Sequence, residues 1–386
     1  MEYTLPKDVL DHLRTCEEET LELIEALCNI PAPSGQEGAR AAFCKDWLTA
    51  KGARGVYVDE ALNTLYPVHC DGRDDIVLFL AHTDTVFPDT TPMPFYRDGE
   101  YLYAPGVGDD TTCLAQLLTV AGYVAQRQST PDCGILFAAN AGEEGLGNLK
   151  GIRQIMKDYA GRIRAVYSFD WQYTAFVNKC VGSHRYEISF ATEGGHSFGA
   201  FGNRNAIHAA ADLVCALYRC PLPVHGESRT TYNVGIIEGG TSVNTIAQSA
   251  KLLYEYRSDR AECLEEMRQF FEATVADARA RGTAEITVTP VGDRPCGGRV
   301  DEELLARMSE DVIRISQKHS GLPCTATSGS TDCNIPMSLG VPAVCVGTYL
   351  GSGQHTREEK VLLSSIPVGS RIVAELVLSH FREAEK

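Results

Sequence analysis

Ile76-Val77-Leu78-Phe79-Leu80-Ala81-His82-Thr83-Asp84-Thr85-Val86 is the stretch on which the fold turns. Its five leading apolar residues read as a buried strand of a parallel sheet. The run ends in a histidine and, two residues on, a carboxylate. In open α/β sheets ligands bind beyond the carboxyl ends of the strands, where His82 and Asp84 fall. An imidazole nitrogen can take a metal while a nearby carboxylate accepts the other ring N–H. A strand running into an ordinary polar turn fits the same residues. The choice depends on whether other segments supply further ligands.

Composition sets the outer limits. A chain of 386 residues is long for one compact core, so two domains are expected. Hydrophobic and charged fractions of 44% and 22% are those of an ordinary globular chain. A net charge of −16 argues against nucleic acid or an anionic membrane as partner. No window reaches the ~18 apolar residues of a membrane span, and Met1 to Lys7 has no signal-like core, so a cytoplasmic location is expected. The 14 cysteines are scattered without zinc-finger spacing and read as reduced, mostly structural thiols.

Outward from the first strand, residues from about 8 to 52 read as two helices broken by Pro31-Ala32-Pro33-Ser34-Gly35. Strand-like stretches at 55–59 and 64–69 follow. Beyond Val86, Gly106-Val107-Gly108-Asp109-Asp110 precedes a helical pattern that starts at Thr111 or Thr112. Asp109 there could simply cap the helix. The Gly-x-Gly lacks the third glycine and preceding strand of a dinucleotide site. A second buried strand, 133–139, ends in Asn140-Ala141-Gly142-Glu143-Glu144, which could also be a solvated acidic turn. A third, 163–169, ends at Asp170. Three strands ending in acid or histidine form a pattern that such separate explanations do not predict well.

From His184 the texture changes. Strands at 184–192, 230–237, 249–257 and 284–289 alternate with helices at 203–218 and 262–281 in the order βαββαβ of a ferredoxin-like unit. It is taken as an insertion at 183–294 between two parts of one α/β domain, 1–182 and 295–386. The second part carries a helix at 302–319, a loop at Ser328-Gly329-Ser330-Thr331-Asp332-Cys333-Asn334, a short strand near Val344, a loop containing His355 and a last helix just after Pro367.

Together the candidates are His82, Asp84, Asp109, Glu143, Glu144, Asp170 and His355. Two histidines with several carboxylates suit zinc or similar first-row metals. With Asp84 and Glu143 set aside for supporting roles, the remaining five are too many for one tetrahedral ion. With one bridging carboxylate they suit two ions ~3.5–4 Å apart.

These elements, His82-x-Asp84-x-Val86, Gly108-Asp109-Asp110, Glu143-Glu144 and His355-Thr356, resemble in order and approximate spacing the co-catalytic zinc exopeptidases and deacylases. That family includes glutamate carboxypeptidase, tripeptidase T, aminoacylase and succinyl-diaminopimelate desuccinylase. The resemblance covers essentially the whole chain. It implies a three-layer α/β catalytic domain with an inserted ferredoxin-like α+β lid, and two divalent ions, zinc or else cobalt or manganese. It implies that Asp109 bridges the ions, that His82 and Asp170 complete one shell and that Glu144 and His355 complete the other. It implies also that Asp84 orients His82 and that Glu143 is the general base. For His196, within Gly194-Gly195-His196-Ser197, it implies support of the oxyanion, which in relatives often comes across a homodimer formed through the lid. The resemblance further implies that Asn244, Arg257 and the Gly329-Ser330-Thr331 loop contact substrate. Two positions depart from the pattern: Thr111 stands where relatives carry lysine, and Glu255-Tyr256-Arg257 where they carry Asp-x-Arg.

Asp170 resembles the aminopeptidase and dipeptidase branch, which implies hydrolysis at the amino-terminal end of a di- or tripeptide. An N-acyl amino acid deacylase or desuccinylase would use the same site. A non-catalytic, metal-stabilised binding protein would have no need for Glu143.

Overall fold

A computed structural model describes residues 3–127 and 130–381. The chain divides into two compact units, one running to Lys179 and resuming at Gly298, the other Cys180–Gly297.

The first unit is built on an eight-stranded sheet. Its spatial order is Tyr57–Val58, Thr64–Val68, Gly134–Asn140, Ile76–His82, Ile163–Phe169, Ala343–Val346, Ala175–Cys180 and Thr325–Gly329. The four central strands, from Gly134–Asn140 to Ala343–Val346, are parallel. Thr64–Val68 and Ala175–Cys180 flank them antiparallel. All seven residues of Ile76–His82 are buried. Val77, Phe79 and Ala81 join the helix-covered core on one face, while Ile76, Leu78 and Leu80 are buried on the other. Burial on both faces is why the run is continuously apolar rather than alternating. Phe79 stacks on Tyr167 of the neighbouring strand at 5.2 Å between centroids. The parallel register places His82 opposite Asn140 and Leu80 opposite Ser168. The segments after these strands therefore emerge along one edge.

Three helices, not two, precede the sheet: Lys7–Thr15, Glu17–Cys28 and Gly38–Ala50. The extra break falls at Cys16, with neither glycine nor proline to announce it, and lets Val9 and Leu13 reach the same core as Ile24 and Leu27. The last helix, Ile366–Leu378, begins before Pro367 rather than after it. Proline is tolerated in a first turn because its missing N–H would have no helical partner. The expected loop at 328–334 begins within the edge strand Thr325–Gly329 and ends in a short helix, Asn334–Ser338. Among the described residues no helix is long and apolar enough to cross a membrane.

The second unit holds a four-stranded, wholly antiparallel sheet in the order Thr230–Gly239, Ser249–Ser258, Gly182–Ala191, Glu285–Arg294. The order and the two helices, Ala206–Leu217 and Ala261–Ala280, are those of a split βαβ arrangement. Along Ser249–Ser258 every second residue is buried, and Leu252, Tyr254 and Tyr256 join the helices' apolar residues in one cluster. Asn205 caps the first helix, its Oδ1 accepting from Ile207 N and His208 N at 2.9 and 3.3 Å.

Arg40 of the third helix, 1% exposed, secures the opening strand's exit. Its Nε donates to Ile30 O at 2.8 Å and its Nη1 to Thr83 O at 2.9 Å. Arg40→Ala removes the donor from the part-buried Ile30 carbonyl and the buried Thr83 carbonyl, at ~1–3 kcal/mol each. The expected loss is ~3 kcal/mol in urea unfolding followed by tryptophan fluorescence. Both tryptophans, Trp47 and Trp171, belong to this unit.

Candidate metal centre

Each ligand position is the product of a strand end or a loop pinned beside one. His82 is the last residue of the central strand, and Asp170 follows Phe169 directly. Glu143 and Glu144 follow Asn140. Asp109 lies in a wide turn, Val107–Thr112, where neither it nor Asp110 has helical backbone angles, ahead of the helix Cys113–Arg127. Its side chain caps no helix. It faces two histidines.

His82 Nε2 lies 3.0 Å from Asp109 Oδ1, and His355 Nε2 lies 3.1 Å from Asp109 Oδ2 and from Glu144 Oε1. Each Asp109 oxygen thus meets a different imidazole. Potential ligand atoms of His82, Asp109 and Asp170 lie within 4.8 Å of one another, as do those of Asp109, Glu144 and His355. A third group, His82, Glu143 and Glu144, meets the same limit. Two triads sharing one carboxylate are the geometry of a dinuclear site.

The electrostatics make the same demand. Burial and the charges of Asp109 and Asp110 push Asp170 well above the usual carboxylate range. Its buried Oδ1 has no hydrogen-bond partner. Burial and Asp109 push Glu144 up to about 7. Burial also works against the Asp109 anion, but hydrogen bonds from His355 and His82 outweigh it and hold Asp109 low. Hydrogen bonds to Asp109 and Glu144 raise His355 to about 11. Grouped carboxylates that draw both histidines toward their cationic forms need positive charge at their centre. The nitrogen and oxygen donors suit zinc or a similar ion. The residues therefore fit a pair of divalent cations.

Asp84 meets both His82 and the glutamate turn. His82 Nδ1 meets the Asp84 backbone carbonyl at 3.0 Å, and the carboxylate only at 3.5 Å. The carboxylate mainly holds the glutamate turn: Oδ1 accepts from Glu143 N at 2.9 Å and Oδ2 from Glu144 N at 3.0 Å. Ser34 Oγ also donates to Oδ2, at 2.6 Å. Ser34, read from sequence only as part of a helix break, thus belongs to the site's support.

Other supports went unnoticed in the sequence. Asp110 Oδ2 accepts from His82 N at 2.8 Å. Glu359 accepts backbone N–H bonds from Gly106, Gly108 and Asp109. Asn140 Nδ2 donates to Asp332 Oδ2 at 2.7 Å, which brings the 329–332 loop to the strand end. Burial and Glu143 push Asp332 up to about 7. Only the pairing of acids in Asp109-Asp110 and Glu358-Glu359 hinted at any of these. Thr111 is buried, and its hydroxyl accepts from Arg40 Nη1 at 3.4 Å, so a cation does reach the position where lysine was expected.

The expected substrate-contacting residues fall in both units. Gly329 ends an edge strand of the first. Thr331 is buried, its N donating to Asn334 Oδ1 and its Oγ1 accepting from Cys333 N. Within the second unit His196 and Asn244 come together: Gly195–His196 pairs with Thr245–Ile246, and Ser197 N donates to Asn244 O at 2.9 Å. His196 is exposed. Arg257 is engaged by Glu255 through both Nε and Nη2, at 2.9 and 3.1 Å.

Comparison with known proteins gives the family and the fold. The protein YqjE of Bacillus subtilis is 26% identical over 81% of this chain and 82% of its own. A putative succinyl-diaminopimelate desuccinylase of Mycobacterium tuberculosis is 26% identical over 90% of this chain and 95% of its own. A tripeptidase of Staphylococcus aureus shares the fold, with a TM-score of 0.71 and 24% identity over 94% of this chain and 97% of that one. The model of peptidase family M20/M25/M40 matches residues 78–379, a span that holds every residue of both triads. The chain belongs to that family, and is a hydrolase of peptide or amide bonds.

Proposed function

We propose that the chain is a two-metal exopeptidase that hydrolyses the amino-terminal amide bond of di- and tripeptides, with zinc as the metal. The observation that carries this reading is Asp109, whose two oxygens each face a different histidine. His82 and Asp170 would hold one ion with Asp109, and Glu144 and His355 would hold the other with the same carboxylate. Two bound cations supply Lewis acidity that polarises an amide carbonyl and acidifies water.

Glu143 is the general base. It is buried beside His82 and Glu144, and the Asp84 contact to its N–H fixes its backbone. It takes a proton from the attacking water and later delivers it to the leaving amine, so its own charge is restored each cycle. His196 steadies the oxyanion. Support for this role is local: Nδ1 accepts from Phe198 N and Gly199 N, at 3.3 Å each, which leaves the proton on Nε2. Asn244, Arg257 and the Gly329–Thr331 segment are assigned to substrate by resemblance to the family.

The reading includes a homodimer through Cys180–Gly297 acting as a lid. The edge strand Thr230–Gly239 supports it, exposing Ile236 and Ile237 at 41% and 54%. A cytoplasmic location is supported by buried free thiols such as Cys113, Cys133 and Cys345. The second reading, a deacylase or desuccinylase, is favoured by the relative named as a putative desuccinylase.

Free and N-acylated di- and tripeptides, assayed with zinc, cobalt or manganese, separate the two. The expected result is cleavage of free peptides; cleavage of N-acyl amino acids alone rejects the peptidase reading. Glu143→Gln should keep fold and metal yet lower turnover by ~10²–10⁴-fold. An unchanged rate would remove Glu143 from the chemistry. His196→Ala should lower kcat more than it raises KM; a pure KM effect would make it a ground-state binding residue.

A further inference from the structure

The turn that carries Asp109 turns three of its amides onto a single side chain outside both triads. Glu359 Oε2 accepts from Gly106 N at 2.7 Å, and Oε1 accepts from Gly108 N at 2.9 Å and Asp109 N at 2.8 Å. Glu359 is 1% exposed, whereas its neighbour Glu358 is exposed. The two glycines make the approach possible. Gly106 has φ +76°, and a Cβ on Gly108 would lie 2.8 Å from Glu359 Oε1 and from the Tyr349 ring.

Glu359 also belongs to the other ligand loop. It stands four residues after His355, and its carbonyl accepts from Ala104 N at 3.2 Å. The strand that follows it, Lys360–Leu362, pairs with Tyr101–Tyr103, so Lys360 lies opposite Tyr103 just ahead of the Asp109 turn. One carboxylate therefore ties the loop of the shared ligand to the loop of His355.

We propose that Glu359 is a positioning residue for the metal pair: it sets the backbone of Asp109 so that its two oxygens face two separate ions, and it fixes the spacing between Asp109 and His355. The inference rests on the two-metal reading of the site. The chemistry requires a carboxylate rather than an amide of the same shape. Three N–H donors need two acceptor oxygens. A glutamine has one oxygen, and its NH₂ would face an N–H in the position of the other.

The test is a Co²⁺ titration of metal-stripped protein, followed by calorimetry and visible absorption. It compares wild type, Glu359→Gln, Glu358→Gln and Gly108→Ala, each checked for fold by circular dichroism. Partners of this kind outside the ligand set are worth about 10–100-fold in metal affinity. Glu359→Gln is expected to lose about that much at one site or both, with an altered cobalt spectrum and a reduced kcat. Glu358→Gln should match wild type. A Glu359→Gln protein with the wild-type isotherm and spectrum overturns the proposal. Should that variant not fold, Gly108→Ala decides: its methyl displaces the same contact with Glu359 intact, and an unchanged isotherm is then the overturning result. Wild type that takes up fewer than two Co²⁺ would defeat the two-metal reading instead, while the effect of Glu359 on the remaining ion would still be measured.

Discussion

The structure depends on the confinement of like charge. Asp109, Glu143, Glu144 and Asp170 gather at the carboxyl edge of a parallel sheet, three of them buried and the fourth with an oxygen sealed from solvent. Carboxylates so placed repel one another at low effective dielectric, and the arrangement keeps its charge only with cations among them. The sheet makes the gathering possible. Parallel strands buried on both faces must all discharge their loops at the same edge, so residues far apart in sequence meet without long excursions of chain.

Gathering ligands is not the same as aiming them, and the aiming is done by a second set of anions. Asp84 holds the N–H groups of Glu143 and Glu144, Asp110 holds that of His82, and Glu359 holds those of Gly106, Gly108 and Asp109. Each accepts from backbone N–H groups, so it fixes where a ligand begins and leaves its tip free to coordinate; Asp84 alone of the three also approaches a ligand ring, His82 Nδ1 at 3.5 Å. The Pro31–Gly35 segment braces this layer: Ser34 reaches Asp84, Thr85 N donates to Ala32 O, and buried Glu37 meets Gly35 N and Lys150 Nζ.

The sequence reveals the first set far better than the second, for a physical reason. A strand buried on both faces must be apolar throughout, so a polar residue at its end stands out, as His82 and Asp170 do. The residues that aim the ligands act over separations such as Glu359 to Gly106, and such a bond leaves no local period or spacing. The edge strand Thr325–Gly329 was invisible for the opposite reason: its residues are almost all exposed, so no pattern is imposed on them. The break at Cys16 lacked any residue that breaks helices intrinsically; tertiary packing alone placed it. In the second unit the strand expected at 249–257 is found at Ser249–Ser258, with alternate residues buried because one face meets helices and the other does not.

The two anionic layers explain why this edge of the sheet is both costly to fold and suited to its chemistry. Carboxylates of both layers raise the basicity of His82: burial opposes its charged form, yet Asp110, Asp109 and Asp84 together lift it well above its ordinary value. The same field draws divalent cations, whose binding to the folded chain then stabilises it by mass action. Arg40 reconciles the two demands. Buried beneath the layer, it supplies one permanent positive charge through backbone carbonyls at Ile30 and Thr83 rather than through any ligand carboxylate. It steadies the strand's exit without competing for the oxygens that the metals need.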